Sequence, residues 1–270
     1  MSESDRLLRS ERELLQSYVS PLLERRLRQP QPVVVPEISA TRGAVVLIDV
    51  ERFSVFAERM AAMGNDGVER LAERINQTFA AAVESITRYG GIAHAFPGDS
   101  VIAFWPADER TLDARTLEES VLLATRCALE LVETHRDDEL PLKAGLSAGE
   151  LTMAHLGGVN GRLQFLLSGA PLDEMGRAEE RSGRGRLIAA APAWNLLSRH
   201  AVASVESDGF FEVKTLRAAA PIAVPAESAS AASLRTEDAA FHATARAYLP
   251  AALIRHPKPT RGLGSVSFAK

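Results

Sequence analysis

The segment Gly91-Ile92-Ala93-His94-Ala95-Phe96-Pro97-Gly98-Asp99-Ser100-Val101-Ile102-Ala103-Phe104-Trp105-Pro106 reads as two short apolar β-strands joined by a tight Pro97-Gly98-Asp99 turn. Asp99 stands at the tip of that turn. A second acid, Asp49, ends the apolar run Ala44-Val45-Val46-Leu47-Ile48. The two carboxylates lie 50 residues apart in sequence, yet they meet if the two strands are neighbours in one sheet. Such a pair suits hard divalent cations, which take oxygen ligands and bridge substrate phosphates.

The bulk composition narrows the classes. The chain has 270 residues, a formal net charge of −4 and 24% charged residues. That balance argues against a nucleic-acid binder that relies on a basic surface. Cys127 is the only cysteine, so neither an internal disulfide nor a cysteine zinc site can form. It falls among Leu122, Leu123, Leu129 and Val132 and reads as a small core residue rather than a reactive thiol. The N-terminal residues lack an apolar signal region, and no apolar run approaches membrane-spanning length. A cytoplasmic protein is the expectation.

Moving outward from the hairpin, Val68 to Tyr89 reads as a long helix on the stepping of Leu71, Ile75, Phe79, Val83 and Ile86, with Gly90-Gly91 ending it. Phe53 to Met63 reads as a helix, broken by Gly64 to Gly67. Gly43 to Val50 reads as a buried strand, preceded by an extended Pro-rich linker from Gln29 to Ala40. Residues 5–28 are helix-like with heptad leucines, interrupted at Pro21; they suit an amphipathic packed helix better than a coiled coil. Beyond the hairpin, Leu112 to His135 reads as a helix. Leu142 to Gly149 and Leu151 to Leu156 suggest a hairpin across Gly149-Glu150. A strand at Arg162 to Leu167, a helix at Pro171 to Glu180, a strand at Leu187 to Ala191, a helix at Pro192 to Leu197 and strands at Val202 to Val205 and Phe210 to Val213 follow. The expected fold class is α+β, an α/β sandwich with a ferredoxin-like mixed or antiparallel central sheet and flanking helices. No Gly-rich dinucleotide fingerprint or P-loop is present.

Ala218 to Ser233 reads as a linker and Glu237 to Ile254 as a helix. Thr260-Arg261-Gly262 followed by Ser265 to Lys270 then echoes Thr41-Arg42-Gly43 followed by Val45 to Asp49. A helix and a Pro-containing connection precede each, which points to a repeated unit. The expected division is residues 1–40 as N-terminal helix and linker, 41–216 as the main domain, 217–259 as linker and helix, and 260–270 as the start of a second, truncated unit.

On the residues alone, Asp99 reads as a turn residue rather than a ligand, and Asp49 as readily as a strand's solvent end. A resemblance adds to this. The blocks Leu47 to Ser54, Gly91 to Trp105, Leu142 to Gly149, Gly169 to Arg177 and Leu187 to Ala193 occur in the order found in class III nucleotidyl cyclases. They resemble in particular the first of the two catalytic domains of bicarbonate-responsive soluble adenylyl cyclases. In that family two such domains pair head to tail, and each site takes metal aspartates from one domain and base-reading residues from the other. The resemblance implies that Asp49 and Asp99 hold two divalent ions, Mg2+ or Mn2+, with the Val50 carbonyl assisting. It places Phe53 and Ser54 at a helix N-terminus facing the triphosphate, with Arg52 and Gly98 beside it. Arg177 matches a transition-state arginine, although it reads equally as a helix surface charge.

The departures are as informative. Ala95 stands where the family has a base-reading lysine, Leu166 falls near that lysine's partner, Asp173 replaces the transition-state asparagine, and Arg52 stands where relatives often have a glycine beside the phosphates. Ala95 and Gly176 also fall where bicarbonate-responsive members bind bicarbonate, so that response is unsupported. The expected function is therefore the metal-binding half of a cyclase, turning ATP rather than GTP into cyclic AMP and pyrophosphate with a second cyclase-like domain in cis or trans. A homodimer would lack a base reader. The alternative is a degenerate cyclase-fold domain that regulates or dimerises without turnover. His94 and His155 read as structural, Arg181 to Arg186 as a solvated loop, and Glu51 and Glu150 as solvent-facing.

Overall fold

A computed structural model describes residues 19–107, 115–217 and 239–249. The element order is α1 (Pro21–Leu27), β1 (Glu37–Val50), α2 (Phe53–Ala61), α3 (Asn65–Arg88), β2 (Ile92–Ala95), β3 (Ser100–Pro106), α4 (Leu117–Thr134), β4 (Leu142–Gly157), β5 (Leu163–Ser168), α5 (Ala170–Glu180), β6 (Leu187–Ala190), α6 (Ala191–Leu197), β7 (Ala201–Ser207), β8 (Phe210–Leu216) and α7 (Ala239–Tyr248). Contacts divide the chain into two units.

The larger unit, residues 40–151 and 168–226 within the described range, is built on the sheet. Its strand order is β2-β3-β1-β4-β6-β8-β7. The pairs β1–β3, β2–β3, β6–β8 and β7–β8 are antiparallel and β4–β6 is parallel. The mixed sheet with flanking helices is the expected α+β architecture. Four consecutive residues of β1, Gly43 to Val46, are buried, which marks a strand covered on both faces. Its partner β3 contributes Val101, Ala103, Phe104 and Trp105, all fully buried. The Trp105 indole donates to the Tyr89 carbonyl at 3.0 Å, so the ring is anchored as well as packed.

Helix termini follow from local chemistry. Thr116 and Glu119 form a reciprocal capping box that starts α4, and α4 then buries Val121, Leu122, Ala124, Cys127, Ala128 and Leu131. Cys127 is fully buried, and burial pushes its thiol up to about 12. This is a core residue, as expected. Residues 112–114 of the expected helix lie outside the described residues.

Four local readings are corrected. Gly149-Glu150 is no turn: β4 runs unbroken from Leu142 to Gly157, and the hairpin turns instead through Gly158 to Gly161, where the Gly158 amide donates to the Arg162 carbonyl at 2.8 Å. Gly67 lies inside α3 rather than in a break. A Cβ there would stand 1.9 Å from the Met60 carbonyl oxygen, so the missing side chain is what lets α2 and α3 approach. Residues 37–40, read as linker, already belong to β1. In the Arg181–Arg186 loop, Arg181 and Arg184 are exposed as expected, whereas Arg186 is half-buried and paired. The Arg181 guanidinium lies 4.2 Å from the Phe210 ring centroid, and Arg186 pairs with Glu212 at 3.0 Å.

The smaller unit draws its described residues from 19–39, 152–167 and 239–249. Val19, Leu23, Phe241, Ala245 and Leu249 form its core, with Leu27, Phe165 and Tyr248 against it. Pro21 opens α1, so the interruption expected there is a break, and its missing N–H costs nothing at the first helical position. The buried His155 ring bonds the Tyr248 hydroxyl at 2.9 Å and lies 4.9 Å from the Phe165 ring centroid, so it is structural. The echo at residues 260–270, the Ala218–Ser233 linker and the first 18 residues lie outside the described residues.

Close approach matters most at Gly145. A Cβ there would fall 2.3 Å from the Met175 carbonyl oxygen and 2.4 Å from the Glu179 amide nitrogen, so α5 lies directly on β4. Gly145→Ala is expected to lower unfolding stability by ~1–3 kcal/mol, because backbone rather than a flexible side chain must yield. Denaturant unfolding measures this.

Candidate functional site

The site grows from the paired ends of β1 and β3. Register places Asp49 opposite Ser100, and the Val50 amide donates to the Asp99 carbonyl at 3.2 Å. The turn that carries Asp99 is closed by the Ser100 hydroxyl donating to the Pro97 carbonyl at 2.9 Å. Gly98 has φ +67° and faces open space, the left-handed conformation that a glycine adopts without strain. Sequence pattern therefore located both acids, and the sheet brings them together.

Immediately after β1 the Glu51 amide donates to the Pro141 carbonyl at 2.8 Å. Arg52 then adopts φ 59° and ψ 34°, an uncommon conformation for a side chain of its size, and forms the N-cap of α2 without a side-chain cap bond. Its side chain is exposed, as is that of Ser54, while Phe53 is half-buried. The Arg52 carbonyl accepts from Val55 at 3.1 Å and Phe56 at 3.3 Å. Arg177 is exposed on α5 and is not part of the Asp49 cluster. Asp173 is likewise exposed, Ala95 half-buried in β2 and Leu166 45% exposed.

Two residues that the sequence reading passed over complete the cluster. The Lys143 ammonium lies 2.6 Å from Glu179, 3.4 Å from Asp49 and 3.6 Å from Glu51. Glu51 is therefore half-buried and paired, not solvent-facing as expected, because the Glu51–Pro141 bond turns it toward the start of β4. Glu150 is exposed as expected. Lys143 had a legible signal, a lone charge in the apolar strand Leu142-Lys143-Ala144-Gly145-Leu146. Its partner Glu179 lies 36 residues on, where no local pattern points to it.

The electrostatics are tight. Burial first, then the charges of Asp99 and Glu179, raise the Asp49 carboxyl to about 7, and Lys143 opposes this without overcoming it. For Lys143 burial works against the charge, but the bond to Glu179 and the charges of Glu179, Asp49 and Glu51 outweigh it and hold the ammonium above its ordinary value. Among the described residues no group of three or more His, Cys, Asp or Glu side chains is arranged to hold a metal ion. Asp49 and Asp99, held at paired strand ends, are oxygen donors of the kind that hard divalent cations take while completing their shell with water and phosphate oxygens.

The raised Asp49 value has a definite sign. Between pH ~4 and ~7 the unfolded chain has released this proton while the folded chain keeps it, so stability falls across that window. Asp49→Asn removes the effect. In metal-free protein the variant is expected to gain ~1–3 kcal/mol on the wild type between pH 4 and pH 8, measured by denaturant unfolding at both pH values.

No protein-family model matches the chain. Over 172 residues it is 27% identical to adenylate cyclase type 10 of Rattus norvegicus, a match covering 61% of this chain and 10% of that relative. The chain thus spans about a tenth of the length of that relative. Among solved structures, the adenylyl cyclase CyaB from P. aeruginosa aligns with TM-score 0.54 and 17% identity, covering 67% of this chain and 98% of that one. A bacterial light-regulated adenylyl cyclase aligns with TM-score 0.58 and 18% identity, covering 76% of this chain and 60% of that one. Among the described residues no helix is long and apolar enough to cross a membrane. The chain is homologous to adenylate cyclase type 10 and has the fold of the class III adenylyl and guanylyl cyclase catalytic domains.

Proposed function

We propose that this chain supplies the metal-binding half of a nucleotidyl cyclase site, forming cyclic AMP and pyrophosphate from ATP when a complementary catalytic domain pairs with it. The observation that carries the reading is the juxtaposition of Asp49 and Asp99 at adjacent strand ends, in a chain homologous to an adenylate cyclase. In the reaction the ribose 3′ oxygen bonds to the α-phosphorus, the bond to the bridging oxygen of pyrophosphate breaks, and the 3′ proton leaves. Mg2+ or Mn2+, when bound, would supply Lewis-acid activation of the 3′ hydroxyl and neutralise charge on the leaving group.

The chain's own residues have separable tasks. Asp49 and Asp99 would hold the cations, with the Val50 carbonyl as a third oxygen. The first amides of α2, at Phe53 and Ser54, would offer their N–H groups to the phosphates. Arg52 would add positive charge beside them, and Gly98 leaves the turn open for the nucleotide. Ala95, Leu166 and Asp173 offer no adenine reader and no transition-state amide. The partner domain would therefore have to provide both, and Arg177 would face the second, non-equivalent site. Those same three residues favour one second reading, a cyclase-fold domain that pairs and regulates without turnover.

One assay separates the two. Cyclic AMP formation from ATP and Mn2+ is measured with this chain alone and with a cyclase domain that carries the missing Lys, Asp or Thr, Asn and Arg. Product is expected only in the mixture. Asp99→Asn is expected to lower it by ~100-fold or more, as loss of a group that holds charge-stabilising ions does. No product from any mixture, or full activity of the variant, sinks the catalytic reading.

A further inference from the structure

The Lys143 ammonium is seated on one carboxylate and leans on two more. Its contact with Glu179 at 2.6 Å is a close ion pair, whereas those with Asp49 at 3.4 Å and Glu51 at 3.6 Å are at the loose end of the range. Both ends of the close pair are shielded, with side chains 18% and 12% exposed, so the charges are screened far less than on an open surface. Burying three carboxylates around one cation leaves net negative charge at the end of β1, and Asp99 adds to it. The backbone fixes this arrangement, because Gly145, two residues after Lys143, lets α5 lie against β4 and so carries Glu179 to the ammonium. Lysine is a compact charge on a flexible stem, able to move between neighbouring carboxylates as a planar guanidinium is not.

We propose that Lys143 is a positioning residue that serves as the internal counter-cation of the Asp49–Asp99 site, and that Glu179 is the anchor that keeps it paired when a divalent cation takes Asp49. The inference rests on the metal reading of Asp49 and Asp99 given above. In metal-free protein the ammonium offsets the repulsion among Asp49, Asp99 and Glu51 and keeps their carboxylates in place. When a divalent cation arrives, the two positive charges compete for Asp49. Lys143 already sits 2.6 Å from Glu179 and stays paired there when Asp49 turns to the metal, so metal entry strands no buried charge.

The signature is a pair of opposite effects. Removing Lys143 removes a competing cation and tightens metal binding. Removing the Glu179 charge leaves the ammonium only Asp49 and Glu51, and weakens metal binding. A purely structural ion pair would weaken binding from either side.

The test is a titration of the full chain with Mn2+ alone, followed by the paramagnetic resonance of the free ion. Wild type, Asp99→Asn, Lys143→Met, Glu179→Gln and the double variant are compared, with circular dichroism establishing that each is folded. Lys143→Met is expected to bind Mn2+ about 10-fold tighter and Glu179→Gln about 10-fold weaker, with the Glu179→Gln effect falling below about 3-fold in the Lys143→Met background. Should Lys143→Met not fold, Lys143→Gln replaces it. Unchanged or weaker binding without Lys143, or an equal loss from Glu179→Gln with and without Lys143, overturns this inference alone. A wild-type chain whose Mn2+ binding does not depend on Asp99 overturns the metal reading and this inference together.

Discussion

The ion pair between Lys143 and Glu179 is the constraint around which the rest of the larger unit is arranged. Taking an ammonium and several carboxylates out of water is costly, and only close pairing makes it tolerable. The pairing needs β4 to begin beside the end of β1, which the sheet order supplies, and it needs α5 pressed onto β4, which Gly145 permits. It also needs the chain after β1 to turn back, which the Glu51–Pro141 bond accomplishes. The apolar core of β1 and β3 fixes where the two strands end, and the charged cluster sits at that end.

The same frame explains why the chain is asymmetric in chemistry. Residues that gather charge, Asp49, Asp99, Glu51, Lys143 and Glu179, come from strand ends and one helix that share a core. Positions at which the resemblance expects a nucleotide-base reader carry Ala95 and Leu166, neither able to form a side-chain hydrogen bond. A hydrophobic side chain in place of a polar reader removes discrimination rather than shifting it, since specificity of that kind rests on satisfied donors and acceptors. On the proposed reading the two halves of the machinery have been allotted to different domains, and this one holds the charges.

How much of this was legible in the sequence depended on how local the cause was. The hairpin around Asp99, the buried run ending at Asp49 and the α5 helix after Gly169 were readable because turn residues and apolar runs announce them within a few positions. The course of β4 was not. Gly149-Glu150 looks like turn chemistry, yet the backbone stays extended there and the turn falls at Gly158 to Gly161. Gly67 looked like punctuation and is a packing contact, because only the position of Met60 reveals what a side chain would strike. Glu179 was missed for the same reason: it is ordinary in its own helix, and its pairing with Lys143, the lone charge in an apolar strand, arises from a tertiary approach that no period encodes. The pairing of α1 with α7 in the smaller unit is of this kind too, joining Leu23 to Phe241 and Leu249 across most of the chain.

Stability and ligation are opposed at this cluster. Asp49 keeps its proton up to about 7 because its neighbours are carboxylates and its surroundings are only partly wet, so the metal-free fold holds an anionic site it cannot fully neutralise. One lysine offsets part of that charge, and a second lysine or arginine would offset more while closing the oxygen ligands to anything else. A site meant for a divalent cation has to remain under-neutralised in its absence. Any ion that binds the folded chain and not the unfolded one then contributes its binding free energy to folding. Partial neutralisation by a flexible ammonium, tethered by Glu179 rather than by the aspartates themselves, meets both demands: the strands stay together without metal, and their carboxylates stay available to it.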